Sequence, residues 1–311
     1  MDILKLNTIV FSGGGVRGFS YIGFLLAFHD LYKTTASKHF TRFAGTSVGS
    51  LFALICVLGI DPKTCIEAFE SFGLPAIFAK DPTWLLTNYA LSSGEALESL
   101  VIKILELGNV PKGITFGELY KKTSKHFIAT VIDIMTSSTI YLDHTNEGTD
   151  MPIVKGLMAT MAAPPLFPPV TFKTATKSMV FIDGGLLDDF PISLFPVETT
   201  LGIRANWYAD PSNPMTDLST YYARVLSILQ LSMHTMISSV AKEYPNCIYI
   251  DLGPIKLDAS DVSVQNLIFT GYRATIARMS SNANVAIEDQ PMKYITADSH
   301  LPKYFKFFFN K

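Results

Sequence analysis

Ser47 stands at the centre of Gly45-Thr-Ser-Val-Gly49, a Gly-x-Ser-x-Gly pentapeptide between a short half-apolar lead-in and the apolar run Leu51–Ile60. A seryl hydroxyl is a poor nucleophile until a base takes its proton. Glycines two before and two after let the chain make a strained turn that lifts the hydroxyl above a sheet, with a helix N-terminus beneath it. The plainer reading is a small residue where strand meets helix, and the pentapeptide alone does not separate the two.

Ser12-Gly-Gly-Gly-Val-Arg-Gly18 is a second glycine-centred site. Gly13, Gly15 and Gly18 match the dinucleotide spacing G-x-G-x-x-G. No acidic residue ends a second strand about twenty residues on, as a ribose requires, and the Gly-Lys-Ser/Thr of a phosphate loop is missing. Consecutive unhindered N–H groups at a helix start suit developing negative charge, an oxyanion as well as a phosphate. Arg17 reads either as a salt-bridge partner on the first helix turn, or as a cation that shapes the loop or lies near the oxyanion or a lipid phosphate. The third site, Phe181-Ile-Asp-Gly-Gly185, is either a polar turn or an acid, Asp183, at the end of an internal strand and aimed into a cleft at the sheet's C-terminal edge. With no metal ligands nearby, Asp183 would serve as a base or a base's orienter.

These groups need elements to position them. Thr8–Ser12, the glycines and the helically spaced Phe19–Tyr32 form a strand–loop–helix unit, and Phe40–Thr46, the pentapeptide and Leu51–Ile60 repeat it. Two such units in succession predict a parallel sheet with packed helices. Further helices are expected at Asp61–Ser71 with Pro62 first, at Ser92–Leu107 capped by Ser92 or Ser93, and from the capping-box spacing Thr115-Phe-Gly-Glu118. More are expected over Pro152–Met161, around Tyr221–Ser239 and over Val264–Ala283. Strands are expected at Phe127–Ile134 and Thr139–Leu142 as a hairpin, and at Val170–Phe172, Met179–Ile182, Leu201–Trp207 and Cys247–Leu252. Phe72–Leu91 is irregular; its Phe78, Trp84, Leu85 and Leu86 either cover a cleft, touch a bilayer or join the core.

The chain of 311 residues is 48% hydrophobic and 17% charged, with net charge −2, which suits a well-buried interior and no nucleic-acid surface. Cys56, Cys65 and Cys247 show no metal-type spacing, so a reducing compartment is the simplest expectation. The N-terminus lacks a signal pattern and no apolar run approaches a membrane span, which points to a cytoplasmic protein, with peripheral membrane association left open. The tail Pro302–Lys311 interleaves aromatics with lysines, as at a membrane interface, although such tails also pack onto their own core. No repeat or linker divides the chain, so one α/β domain over 1–311 is expected, with a motif-bearing core at 7–206 and an extension over 207–311.

Gly-Gly-Gly-x-Arg-Gly, Gly-x-Ser-x-Gly and Asp-Gly-Gly, in that order, resemble the patatin-like phospholipase family. Thr115–Thr123 (TFGELYKKT) and Ala162–Val170 (AAPPLFPPV) resemble secondary motifs of its bacterial-type branch. The resemblance implies a three-layer α/β fold with helices on both faces of a mostly parallel sheet, and a cofactor-free, metal-free lipid acyl hydrolase acting on phospholipid or another acyl lipid. It implies a Ser47–Asp183 dyad and an oxyanion hole at Gly13, Gly14 and Gly15, supported by Arg17, Gly18, Gly45, Gly49, Gly184 and Gly185. Where many members carry an Asn-Asn-Pro-like segment, this chain has Asp188-Asp-Phe-Pro191. Two rival readings are an α/β-hydrolase esterase with a Ser–Asp–His triad, for which His300 or His144 would be needed, and a non-catalytic lipid- or nucleotide-binding protein.

Overall fold

β1 (Thr8–Phe11) is buried at every residue, as an apolar, β-branched segment covered on both faces should be. In the computed structural model it joins β2 (Arg42–Thr46), β3 (His126–Asp133), β4 (Ser138–Leu142), β5 (Val170–Lys173), β6 (Ser178–Asp183), β7 (Thr200–Ala209) and β8 (Cys247–Ile255). The sheet runs β5-β6-β3-β2-β1-β7-β8, with β4 also paired to β3. The β1–β2, β2–β3, β1–β7 and β7–β8 pairs are parallel, and those of β4, β5 and β6 are antiparallel. This is the expected α/β architecture with a mostly parallel central sheet. The structure describes residues 2–280 except 73–76, 78–80, 82, 147, 176, 210–220, scattered positions between 222 and 238, and 256–262.

The longer helices among the described residues are α1 (Phe19–Tyr32), α2 (Val48–Leu58), α3 (Pro62–Phe72), α4 (Glu95–Leu107), α5 (Phe116–Thr123), α6 (Ile153–Thr160) and α7 (Val264–Met279). Side chains alternate across each strand. Ile9, Phe11 and Phe43 therefore enter the larger core with residues of α1, α2, α4, α6 and α7. Val10, Ala44 and Ile128 face the other way, onto Phe190, Ile192, Phe195, Ala241 and Tyr244. The helix α7 is bound tightly to the first helix. A Cβ on Gly271 would lie 1.9 Å from the Ser20 carbonyl oxygen, and one on Gly23 would lie 2.0 Å from that of Ile268. The backbones of α1 and α7 thus touch where only glycine fits.

The Thr115 capping box forms: the Thr115 hydroxyl accepts from the Glu118 N–H at 3.2 Å, and the Glu118 carboxylate accepts from the Thr115 N–H at 2.9 Å. The expected serine cap of α4 is displaced. Gly94, at φ +77°, occupies the N-cap, and Ser92 and Ser93 accept from the N–H groups of Gly94 and Glu95. A short helix, Trp84–Asn88, lies in the segment read as irregular. Phe78, most of the helix expected around Tyr221–Ser239, and the tail 302–311 lie outside the described residues.

Candidate active site

Thr46 pairs with Thr130, and Asp183 pairs with Val131, the next residue of β3. β4 runs unbroken along Ala129–Asp133 on one edge of β3, so β2 and β6 share the other edge. They approach from opposite directions and meet end to end. Asp183 ends an internal strand beside the C-terminal end of β2, as expected, and β6 reaches that point antiparallel to β3. Ser47, the residue after β2, and Asp183, the last of β6, are thereby brought to one point.

Ser47 adopts φ +55° and ψ −130° and is the N-cap of α2. A non-glycine residue in such a conformation costs on the order of 1–3 kcal/mol and persists only when its surroundings over-determine it. Here they do. The Ser47 N–H donates to Thr160 Oγ1 at 2.9 Å, the Thr160 hydroxyl donates to the Thr130 carbonyl at 2.5 Å, and the Ser50 hydroxyl donates to the Gly45 carbonyl at 2.7 Å. A Cβ on Gly45 would lie 2.4 Å from the Gly49 carbonyl carbon, and one on Gly49 would lie 2.5 Å from the carbonyl oxygens of Phe11 and Ser12. Both glycines are required by backbone contact. Gly18 lets the first loop lie against Val48, and Gly184 lies against the Thr130 backbone, with Cβ clearances of 2.5 Å in both cases.

The segment after β6 clasps both glycine-centred sites. The Asp188 carbonyl accepts from the Thr46 hydroxyl at 2.9 Å, and the Asp189 carbonyl accepts from the Gly13 N–H at 2.7 Å. That second bond occupies Gly13. No described residue accepts from the N–H of Gly14 or Gly15, and these are the loop donors left for a ligand. Arg17 donates to the Gly14 carbonyl at 3.4 Å, which fits the loop-shaping reading of that residue.

Asp183 is only 6% exposed. Burial pushes its carboxyl up to about 6, and the nearby Asp189 carboxylate adds to this. Hydrogen bonding from the Ser47 side chain and the Gly185 N–H pulls the other way. The Gly185 N–H lies 2.8 Å from Asp183 Oδ1. Asp189 is likewise raised to about 6 by burial, opposed by the buried Arg204 guanidinium. Asp188 accepts from the Tyr141 hydroxyl at 2.9 Å. Thr160 escapes sequence reasoning because it meets Ser47 from 113 residues away, and the motif at Asp188-Asp189 gives no sign that its carbonyls bind Thr46 and Gly13. The Asp188-Asp189 departure from the Asn-Asn-Pro-like pattern leaves the clasp intact, since its bonds to Thr46 and Gly13 come from backbone carbonyls.

Among the described residues, no histidine is among the groups that act on Asp183. His39 bonds the Ile3 carbonyl. His144 lies with His126, which pairs with Arg42 at the start of β2, on the order of 13 Å along the sheet from Thr46. His300 and His234 fall outside the described residues. Close to Asp183, the Ala162 carbonyl accepts the Asp183 N–H at 3.0 Å, and three residues on the Pro165 carbonyl accepts that of Leu91 at 2.8 Å. Leu91 closes the turn that carries Leu86 and Tyr89, 90% and 74% exposed. No helix among the described residues is long and apolar enough to cross a membrane.

The family model described as patatin-like phospholipase matches residues 9–196. Among curated proteins, the chain is 29% identical over 209 residues to the uncharacterized protein YqhO of Bacillus subtilis (strain 168), covering 61% of this chain and 66% of that protein. It is 23% identical over 252 residues to the uncharacterized protein R571 of Acanthamoeba polyphaga mimivirus, covering 77% and 80%. The solved structure of VipD from Legionella pneumophila superposes with a TM-score of 0.53 at 18% identity, over 89% of this chain and 67% of that one, a likeness of fold.

Proposed function

The chain belongs to the patatin-like phospholipase family, a family of lipid hydrolases, and on that premise we propose that it cleaves acyl esters of membrane lipids through Ser47 and Asp183. The observation that carries this reading is the strained Ser47 held beside a buried carboxylate of raised pKa. Asp183 accepts the Ser47 proton as Oγ attacks the ester carbonyl carbon, and the charge that builds on the carbonyl oxygen meets the N–H groups of Gly14 and Gly15. Protonated Asp183 then gives its proton to the departing alcohol. Water attacks the acyl-serine with Asp183 again as base, and the acid product leaves with Ser47 restored. The Gly13 N–H shapes the loop through Asp189 instead of meeting the oxyanion, and Gly18, Gly45, Gly49, Gly184 and Gly185 permit the close backbone contacts around the pair.

The full 1–311 chain acts as one patatin-like domain in this proposal, supported by the glycine-to-backbone contact of α1 with α7. Peripheral contact with a lipid surface is supported by the exposed Leu86 and Tyr89, in the segment that Leu91 ties to the Pro165 carbonyl. A phospholipid-hydrolysis panel comparing the wild type with Ser47→Ala tests the reading. Fatty-acid release by the wild type and none by the variant is expected; equal release by both would remove Ser47 from the chemistry.

A further inference from the structure

We infer that His126, Asp143 and His144 form a binding site for a divalent transition cation of the zinc type, at the end of the sheet remote from Ser47. His126 opens β3, and Asp143 and His144 follow β4, its antiparallel neighbour. One ligand atom from each of the three lies within 4.8 Å of the others. Two imidazoles and a carboxylate are a zinc-type donor set that leaves a coordination position for water.

The donors are held by groups other than a metal, as an organised site requires. Asp143 Oδ1 accepts from the Thr145 N–H and hydroxyl, each at 2.7 Å, which leaves Oδ2 turned to His126 Nε2 at 2.8 Å. The His144 ring stacks on Tyr120 of α5, with centroids 3.6 Å apart and planes within 9°. A His126–Asp143 bond would by itself account for two of the three residues. It leaves His144 unexplained, since its Nδ1 is shielded from solvent with no hydrogen-bond partner. Bonds of about 2.0–2.1 Å from a tetrahedral zinc place ligand atoms roughly 3.3 Å apart. The His126–Asp143 pair is near that spacing, and a modest inward turn of the partly buried His144 completes it. The cation would fasten β3, β4 and the loop under α5, where Phe116 and Gly117 donate to the carbonyls of Met151 and Thr149. Its role is structural, because the reacting pair lies at the other end of the strands.

Chelator-treated full-length protein titrated with zinc chloride against a chromophoric indicator tests this. The wild type should bind one equivalent, and Ser47→Ala should bind it equally well. His144→Phe, which keeps the ring on Tyr120 but offers no nitrogen, and His126→Gln should each bind at least tenfold more weakly. Zinc at a hundredfold excess over Kd should raise the wild-type Tm by several degrees and leave that of His144→Phe unmoved. Cobalt(II) should give the intense visible bands of a four-coordinate site in the wild type only. Unchanged affinity in His144→Phe, or zinc uptake abolished by alkylating the cysteines, would overturn the assignment. His144→Phe carries the test alone if His126→Gln fails to fold.

Discussion

Thr46 and Asp183 are held by consecutive residues of one strand edge, Thr130 and Val131, so the end of β2 and the end of β6 abut on β3. Ser47, one residue beyond Thr46, and Asp183 are thereby brought near each other. The hydrogen-bonding influence of Ser47 on Asp183 expresses this geometry.

Ser47→Ala is expected to fold like the wild type and to lose labelling by a fluorophosphonate probe, because the covalent adduct forms on Oγ. Its Tm should not fall, since alanine keeps the Thr160-bound N–H. Persistent labelling of the variant would point to a different nucleophile.

In the proposed mechanism Asp183 must be ionised to accept the Ser47 proton, and burial pushes its carboxyl up to about 6. The turnover of a soluble ester, as kcat/KM, should therefore rise about tenfold per pH unit below 6 and level off above it. Asp183→Asn should abolish the reaction at every pH. A rise centred near pH 4 instead would mean that the carboxylate is not held as described.

Stability should move in the opposite sense to activity at this residue. A carboxyl whose folded pKa exceeds its unfolded value binds more protons when folded, so its contribution to stability falls as pH rises from about 4 to 6. Above that window the buried anion is a cost that Asp183→Asn removes. The variant should be more stable than the wild type at pH 7.5, by up to about 3 kcal/mol, with the gap closing near pH 3.5. Denaturant unfolding at the two pH values reads it directly.

Glycines in the site should separate by substitution to alanine. Gly45→Ala and Gly49→Ala place a methyl within about 2.5 Å of backbone atoms and should destabilise by more than about 3 kcal/mol or prevent folding. At Gly14 the nearest heavy atom to a new Cβ is Arg17 Cβ at 3.5 Å, an ordinary contact. Gly14→Ala should keep a near-wild-type Tm, and a bulkier residue there should lower kcat by on the order of a hundredfold if the loop stabilises the oxyanion.

Leu86→Asp should reduce hydrolysis of phospholipid in vesicles and spare that of a short-chain soluble ester, because Leu86 is apolar and 90% exposed in the segment that Leu91 ties to Pro165. Equal loss on both substrates would assign the turn to the fold of the cleft and not to a lipid surface.

The strand–loop–helix units were legible because their signals are local. Thr8–Phe11 is apolar and β-branched, the glycines follow at once, and Phe19–Tyr32 carries apolar residues at nearly every position. The same holds for Ser47, whose flanking glycines answer to contacts within the turn and with β1, and for the Thr115 capping box, which closes within four residues. What lay beyond the sequence is everything that depends on which strand lies beside which. The antiparallel course of β6 is set by pairing with β3, some fifty residues earlier. The capture of the Gly13 N–H by the Asp189 carbonyl and of the Ser47 N–H by Thr160 joins segments more than a hundred residues apart. His126 and His144, with no metal spacing along the chain, become neighbours only because β3 and β4 form a hairpin and bring its two ends together. Local conformational preference acts over a turn or two, whereas hydrogen-bond partners across a sheet are chosen by the packing of the whole chain.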